Sequence, residues 1–317
     1  MEYIPYSGGR WPLIATHAPR YGDPEMDRFD ITFVAESAKC AGWIYLADVA
    51  CPAPCIVMAH GLAGVKEMRL DAYAERFVAH GYHVLVFDYR NFGTSDGTPR
   101  QVLDIGKQHA DWAAAVSYAR SRQEVDPAQI VLWGSSLAGG HVMAVARSVA
   151  AVAVIAQVPH ADGPASVLAL GPMQALKLTG HGLYDAARAS LGLSPHYVMS
   201  SGTPGSSAVM TAPDAHEGYR RLVPEGQVFD ERVAARFALT VGLYSPGRKL
   251  RDVAVPVLVQ VAAKDQTTPP AAAIKAANRA PSAVVKIYDI GHFEPYVEPA
   301  FDSVVNDQID FLQDVLN

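Results

Sequence analysis

Three side chains of this sequence have the types and the order needed for nucleophilic catalysis. Ser136 lies in Gly-Ser-Ser-Leu-Ala (134–138), directly after an apolar run. Asp265 and His292 follow in that order, each just after a later apolar run. A histidine can take the proton of a serine hydroxyl, while a carboxylate fixes the histidine tautomer and stabilises its charged form. We therefore predict Ser136 as nucleophile, His292 as general base and Asp265 as the acid.

The residues around Ser136 fit a sharp turn from a strand into a helix. A nucleophilic serine in such a turn has a strained backbone, and a bulky residue two positions before or after it would collide with the turn. Gly134 and Ala138 are small enough for these positions. A turn centred on Ser135 would place Trp133 at one of them, so Ser136 is the predicted nucleophile.

Acyl transfer also requires hydrogen-bond donors for the negative oxygen of the tetrahedral intermediate. The sequence His-Gly-Leu-Ala-Gly (60–64) follows the third apolar run and can bring a backbone N–H close to the nucleophile. The amide of Leu137 lies at the N-terminus of a predicted helix. We predict an oxyanion hole formed by the backbone amides of Leu62 and Leu137, and we interpret His60 as a hydrogen-bonded scaffold residue.

Two other aspartates are alternatives to Asp265. Asp289 lies three residues before His292 on the same segment, so it would reach the histidine only through a tight reversal of the chain. Asp265 is favoured because it follows the seventh predicted strand, residues 257–261, where the acid of a serine–histidine–acid site is expected. Asp88 follows a different strand, and we predict that it pairs locally with Arg90 or with backbone amides.

Eight short apolar runs, bounded by turn residues, predict eight strands. From the third run onward they are nearly continuous, which is typical of strands covered on both faces, and helical segments separate them. The pattern predicts a mostly parallel sheet with helices on both faces. The predicted strands are 29–35, 41–47, 55–59, 83–88, 130–133, 152–158, 257–261 and 284–288, and the predicted helices are 68–79, 105–120, 137–149, 271–278 and 301–315.

The alternation of strands and helices stops between Pro159 and Asp252. We therefore predict an α/β core of residues 1–159 and 251–317, with a helical cap of residues 160–250 inserted between strands six and seven. Apolar residues of this segment are candidates for lining an acyl pocket, and simple packing is an equal alternative. These candidates are Met173, Leu176, Leu183, Leu191, Met199 and Met210.

The ordered motifs around Ser136, Asp265 and His292 resemble the α/β-hydrolase superfamily across nearly the whole chain. The segment 88–101, DYRNFGTSDGTPRQ, is similar to the subgroup of dienelactone hydrolases, X-Pro dipeptidyl-peptidase-like esterases and polyketide transferases or thiohydrolases. This resemblance implies a serine hydrolase that acts on an ester, lactone or thioester. An acyltransferase with the same three residues is one alternative, and a non-catalytic ligand-binding protein of this fold is another.

Composition excludes several other classes. The 317 residues are 50% hydrophobic and carry a net charge of -6, which argues against a nucleic-acid partner. Residues 1–5 lack the features of a signal peptide, and Arg147 interrupts the most apolar stretch, so we predict a soluble cytoplasmic protein without a membrane span. The expected partner is a small-molecule acyl substrate, and a homodimer is considered as an oligomeric state.

No cofactor or metal is predicted. The pair Cys51 and Cys55 has no second pair to complete a four-ligand zinc site, and the histidines show no His-Glu-Xaa-Xaa-His spacing. The first parallel strand is not followed by Gly-Xaa-Gly-Xaa-Xaa-Gly, which removes the main argument for a dinucleotide enzyme.

Overall fold

The computed structural model describes residues 27–316, so the expectation about a signal peptide lies outside the described residues. Eight of its strands form one sheet and the other two form a small second sheet. In chain order the strands are β1 (Asp27–Ala35), β2 (Ala38–Leu46), β3 (Ala53–Ala59), β4 (His83–Phe87), β5 (Val125–Ser135), β6 (Ala153–Gln157), β7 (Tyr197–Met199), β8 (Arg232–Ala234), β9 (Val257–Ala262) and β10 (Ala283–Tyr288).

The large sheet has the order β1-β2-β4-β3-β5-β6-β9-β10. Strand β2 runs antiparallel to β1 and β4, and every other pairing is parallel. The eight predicted strands and the mostly parallel sheet are therefore confirmed. Because β5 and β6 are parallel neighbours paired through Ser135 and Gln157, the loops that follow them begin at the same edge.

The α-helices of the described chain are α1 (Leu70–Val78), α2 (Ile105–Arg120), α3 (Leu137–Val145), α4 (Gly163–Leu170), α5 (Pro172–Ser190), α6 (Ala215–Arg220), α7 (Ala238–Val241), α8 (Pro270–Ala277) and α9 (Ala300–Leu316). From β3 to β4 the chain moves one way along the sheet, and from β4 to β5 to β6 it moves the other way. Right-handed crossovers therefore place α1 on one face and α2 and α3 on the other. Helix α9 contacts α1, and α2 contacts α3, so both faces are covered.

The last helix, α9, packs against the sheet through the apolar face that its sequence pattern predicts. Its apolar residues recur at helical spacing, and all of those predicted for the inner face are buried. They are Phe301, Val304, Val305, Ile309 and Leu312. This burial holds α9 against β6 and β9, next to the segment that carries His292.

The 160–250 segment connects β6 to β9 and contains α4, α5, α6 and α7. It also contains the antiparallel pair β7 and β8, which the sequence analysis did not predict. Each of these strands has three residues, too few for an alternating pattern to be recognised. Within the part of the chain that the structure describes, no helix is both long enough and apolar enough to cross a membrane.

Candidate active site

Ser136 occupies the turn between β5 and α3 with a strained backbone. Its φ is 56° and its ψ is -119°, an unusual conformation for a residue with a side chain. The Ser136 amide donates to the carbonyl of Gln157 at 2.9 Å. Its carbonyl accepts from the amides of Gly140 at 3.2 Å and His160 at 2.9 Å. These bonds hold the strained turn in place.

The turn is crowded on both sides of Ser136. A Cβ atom on Gly134 would overlap the carbonyl oxygen of Ala138, which explains the small residue required there. A Cβ atom on Gly61 would lie 2.8 Å from the Cβ of Ser136. The loop after β3 therefore packs directly against the serine, and a side chain at position 61 would push the two apart.

His292 links Ser136 to Asp265. Its Nε2 lies 3.0 Å from the Ser136 Oγ, and its Nδ1 lies 2.6 Å from the Asp265 Oδ2. The side chains of His292 and Asp265 are each 2% exposed, so bulk water competes little for the bond between them. When Nδ1–H donates to the carboxylate, Nε2 keeps a free lone pair toward the serine hydroxyl, the arrangement that a general base needs.

Asp265 is held by the loop that follows β9. Its Oδ1 accepts hydrogen bonds from the amides of Thr267 at 2.8 Å and Thr268 at 2.7 Å. Its Oδ2 accepts a further bond from the Thr268 hydroxyl at 2.8 Å. Because donors surround the carboxylate, its orientation toward His292 does not depend on the histidine alone.

The two alternative aspartates lie elsewhere. Asp289 is exposed and pairs with Lys264 at 2.9 Å. Asp88 is buried in a local network, as expected, and of its two predicted kinds of partner the backbone amides are found, from Lys66 at 2.8 Å and Thr94 at 3.0 Å. The Lys66 ammonium group also donates to Asp88, at 2.8 Å. Arg90 turns instead to Asp111 on α2, at 2.7 Å.

His60 is a scaffold residue, as expected. Its Nε2 lies 3.0 Å from the carbonyl oxygen of Met68, its Nδ1 accepts from the amide of Gly61 at 2.8 Å, and its ring stacks on Tyr296. Burial lowers the pKa of His60 to about 4, so the ring is neutral near neutral pH. Both ring nitrogens are engaged away from Ser136.

The predicted oxyanion residues lie beside the serine. Leu62 and Leu137 line the same cavity as Ser136. Leu137 is the first residue of α3, where an amide has no acceptor within its own helix. For Leu62, the structure shows no hydrogen-bond acceptor for the amide within residues 27–316. Both N–H groups can therefore donate to a bound ligand, and their role as an oxyanion hole stays a prediction.

A buried polar network beneath the serine was not predicted from the sequence. Ser135 Oγ accepts from Tyr296 Oη at 2.6 Å and from Gln157 Nε2 at 3.2 Å. Tyr73 Oη lies 2.6 Å from the carbonyl of Pro295 and 2.9 Å from Gln157 Oε1. The network ties the loop of His292 to the turn of Ser136. The signal available in the sequence was Gln157, a polar residue at the end of the otherwise apolar strand β6.

A cavity of about 550 Å³ opens at Ser136. Most of its wall comes from the 160–250 segment, including the apolar residues Leu170, Leu178, Phe237 and Val241. Lining residues within the described chain include no lysine, arginine or glutamate, and the aspartate among them, Asp265, is bonded to His292. The cavity therefore suits an uncharged, mainly apolar group.

Of the six apolar residues considered for the acyl pocket, Met210 lines the cavity. The expectation is wrong for the other five, which are exposed on the outside: Met173, Leu176, Leu183, Leu191 and Met199. Helix α5 turns Gln174, Leu178, Gly182 and Asp185 inward, so the apolar residues of its opposite face point to solvent.

The comparisons with known proteins agree with the fold. The family model for the alpha/beta hydrolase fold matches residues 54–299. The chain belongs to the α/β-hydrolase family. The quorum-quenching protein AidA of Acinetobacter baumannii is 46% identical to it over 288 residues, which cover 90% of this chain and 95% of that protein.

Two fungal relatives of this α/β-hydrolase match shorter parts of the sequence. The thiohydrolase aneE of Aspergillus aculeatus is 43% identical over 104 residues, 33% of this chain and 32% of that protein. The polyketide transferase GrgF of a Penicillium species is 31% identical over 144 residues, 44% of this chain and 48% of that protein. The GrgF crystal structure superposes with a TM-score of 0.76 at 22% identity, covering 91% of this chain and 99% of that one.

Between residues 27 and 316, no group of three or more histidine, cysteine, aspartate or glutamate side chains is placed to hold a metal ion. Cys40, Cys51 and Cys55 are free thiols, and Cys51 is exposed while the other two are buried.

Proposed function

We propose that this α/β-hydrolase is a serine hydrolase that cleaves a carboxylic ester, lactone or thioester through an acyl-Ser136 intermediate. The observation that carries the proposal is the unbroken series of hydrogen bonds from Asp265 through His292 to Ser136. This series ends at the wall of an apolar cavity that can hold an acyl group. We further propose that residues 160–250 act as a cap over the bound substrate.

In the first step, Ser136 Oγ attacks the carbonyl carbon of the substrate while His292 Nε2 takes the hydroxyl proton. The carbonyl oxygen becomes negatively charged, and the amides of Leu62 and Leu137 donate to it. Asp265 stabilises the protonated imidazole. When the intermediate collapses, His292 gives its proton to the leaving oxygen or sulfur, and the acyl group stays on Ser136.

In the second step, a water molecule replaces the leaving group. His292 takes one proton from the water as its oxygen attacks the acyl carbonyl. When the second tetrahedral intermediate collapses, the bond from the carbonyl carbon to Ser136 Oγ breaks and His292 gives that proton to Ser136 Oγ. The products are a carboxylic acid and the free enzyme. One water is consumed in each cycle, and neither an oxidant nor a reductant is required.

The relatives support this class of reaction. AidA is named a quorum-quenching protein and aneE a thiohydrolase. If this chain also removes a quorum signal, the proposed chemistry requires that signal to contain an acyl bond that Ser136 can attack. A panel of an acylated lactone, a p-nitrophenyl ester and an acyl thioester therefore covers the substrates that this site admits.

Active-site labelling tests the proposal. A fluorophosphonate probe should label the folded wild type, and Ser136→Ala should abolish both labelling and turnover of p-nitrophenyl esters. Ser303→Ala is the matched control because Ser303 is an exposed serine on α9. Equal labelling of Ser136→Ala, or no labelling of the folded wild type, would overturn the proposal.

Acyl transfer to an alcohol or amine is a second candidate, because GrgF is named a polyketide transferase. Product analysis with competing nucleophiles separates the two reactions: transfer yields a new ester or amide, whereas hydrolysis yields free acid alone. A ligand-binding protein without turnover is the third reading. Turnover that is lost in His292→Ala would exclude it.

A further inference from the structure

Two spaces of very different size meet at Ser136. The large one has a volume of about 550 Å³, within the range of about 300–1,000 Å³ that small-ligand pockets occupy. The small one has about 10 Å³, about the space that one water molecule needs. Ser136, Leu62 and Met210 line both spaces. The two halves of a substrate that straddles Ser136 therefore find very different amounts of room.

The position of His292 indicates which half goes where. His292 and Phe293 line the small space and are not part of the wall of the large one. In the proposed reaction His292 Nε2 protonates the leaving oxygen or sulfur, so that atom must come within hydrogen-bond distance of His292. The leaving group is thereby directed to the small space. The acyl chain leaves the carbonyl carbon in another direction, toward the large space, which Leu137 lines.

We infer that this enzyme selects substrates with a large, uncharged, apolar acyl part and a small leaving group, and that Met210 limits the size of the leaving group. The inference rests on the proposed function, since it requires His292 to act as the proton donor. Each side of the scissile bond is thereby assigned to a space of defined size, so the expected substrates are a narrower class than esters, lactones and thioesters in general.

Met210 is held in the wall that belongs to both spaces. Its amide donates to the carbonyl of Ser200 at 2.9 Å, and its carbonyl accepts from the amide of Gly202 at 3.0 Å. The residue is buried and lines both spaces. Tyr219 and Phe293 also line the small space and pack edge-on against each other, with ring centroids 6.4 Å apart. Met210 is an unbranched side chain that lines both spaces, so its truncation enlarges the small space on the side of the large one.

A pair of isomeric esters tests the inference without a change in overall hydrophobicity. Methyl decanoate has a long acyl chain and a one-carbon leaving group, whereas nonyl acetate has the same atoms with the long chain on the leaving side. We expect kcat/KM of the wild type to be at least about tenfold higher for methyl decanoate than for nonyl acetate. A methylene group that does not fit its pocket lowers kcat/KM by about this factor or more. Equal values, or a preference for nonyl acetate, would overturn the inference.

Met210→Ala tests the residue assignment. The truncation should raise kcat/KM for nonyl acetate more than for methyl decanoate. The ratio of kcat/KM for methyl decanoate to kcat/KM for nonyl acetate should therefore fall by roughly tenfold. Met199→Ala is the matched control, because Met199 is an exposed methionine on β7 that lines neither space. An unchanged ratio in folded Met210→Ala would refute the role of Met210. Met210→Leu, which preserves side-chain volume, should keep the wild-type ratio and guards against a folding defect in the alanine variant.

The outcome also separates this inference from the function on which it rests. If neither ester is hydrolysed and the fluorophosphonate probe does not label Ser136, the proposed function itself is wrong. If the probe labels Ser136 and both esters are hydrolysed without the expected preference, the function stands and the assignment of the two spaces is wrong.

Discussion

Asp265 illustrates how a single residue is oriented by its own loop. Its carboxylate accepts from two amides and one hydroxyl of the segment 267–268, in addition to its contact with His292. Asp289, only three residues from His292 along the chain, is directed to solvent and pairs with Lys264. Distance along the sequence therefore says little about which carboxylate meets the histidine.

We predict that Asp265→Asn lowers kcat by about two to four orders of magnitude, because an amide facing Nδ1 favours the wrong histidine tautomer. Asp289→Asn should change kcat by less than about twofold, since an exposed ion pair contributes little to the site. Steady-state kinetics on a p-nitrophenyl ester measures both. A large loss in Asp289→Asn with normal activity in Asp265→Asn would exchange the roles of the two aspartates.

At the scale of elements, the turn from β5 into α3 depends on the close packing of neighbouring backbone segments as well as on hydrogen bonds. Gly134 lies against the carbonyl of Ala138, and Gly61 approaches the Cβ of Ser136. By contrast, Gly180 lies in the middle of α5, and a Cβ there would meet no atom within 4 Å. Close packing therefore requires a glycine at positions 134 and 61, whereas the surroundings of Gly180 leave room for a side chain.

Gly134→Ala should lower the free energy of unfolding by more than about 2 kcal/mol, because the added methyl group forces the turn apart. Gly180→Ala should raise it by about 0.5–1 kcal/mol, since alanine loses less backbone entropy in a helix. Urea unfolding followed by circular dichroism measures both changes. Equal effects of the two substitutions would contradict the packing argument at the turn.

At the scale of the whole molecule, buried histidines make stability depend on pH. Burial lowers the pKa of His60 and of His160 to about 4, and that of His141 well below its usual value. In the unfolded chain these side chains titrate near about 6.5. Between these pKa values the unfolded state binds protons that the folded state does not. The contribution of these buried neutral histidines to stability is therefore complete above about pH 6.5, their pKa in the unfolded chain, and it is lost as the pH falls toward 4.

We predict that the free energy of unfolding falls by roughly 2 kcal/mol for each of His60 and His160 between about pH 7.5 and about pH 5. His160→Gln should show a shallower dependence on pH than the wild type, whatever its absolute stability. His80→Gln is the matched control, because His80 is exposed. Urea titrations at a series of pH values measure the slopes, and identical slopes in His160→Gln and the wild type would contradict the prediction.

The sequence by itself determined the eight strands of the large sheet and the order of Ser136, Asp265 and His292 along the chain. Buried parallel strands are short apolar runs, and such runs are a local property of the sequence. The two three-residue strands β7 and β8 were missed because so short a segment has no recognisable period. For Asp88 the sequence left Arg90 and backbone amides as alternatives, and it could not decide between them because Asp111, the partner of Arg90, lies on a helix that only folding brings near it.

Only the tertiary structure decided what depends on contacts between distant segments. Helix α5 has apolar residues on two faces, and the sequence could not tell that Leu178 faces the cavity while Leu176 and Leu183 face solvent. The same applies to Met210, which lines both the large and the small space and whose backbone is bonded to Ser200 and Gly202. Periodicity reports which residues share a face of one element, but the neighbours of that face are set by packing of the whole chain.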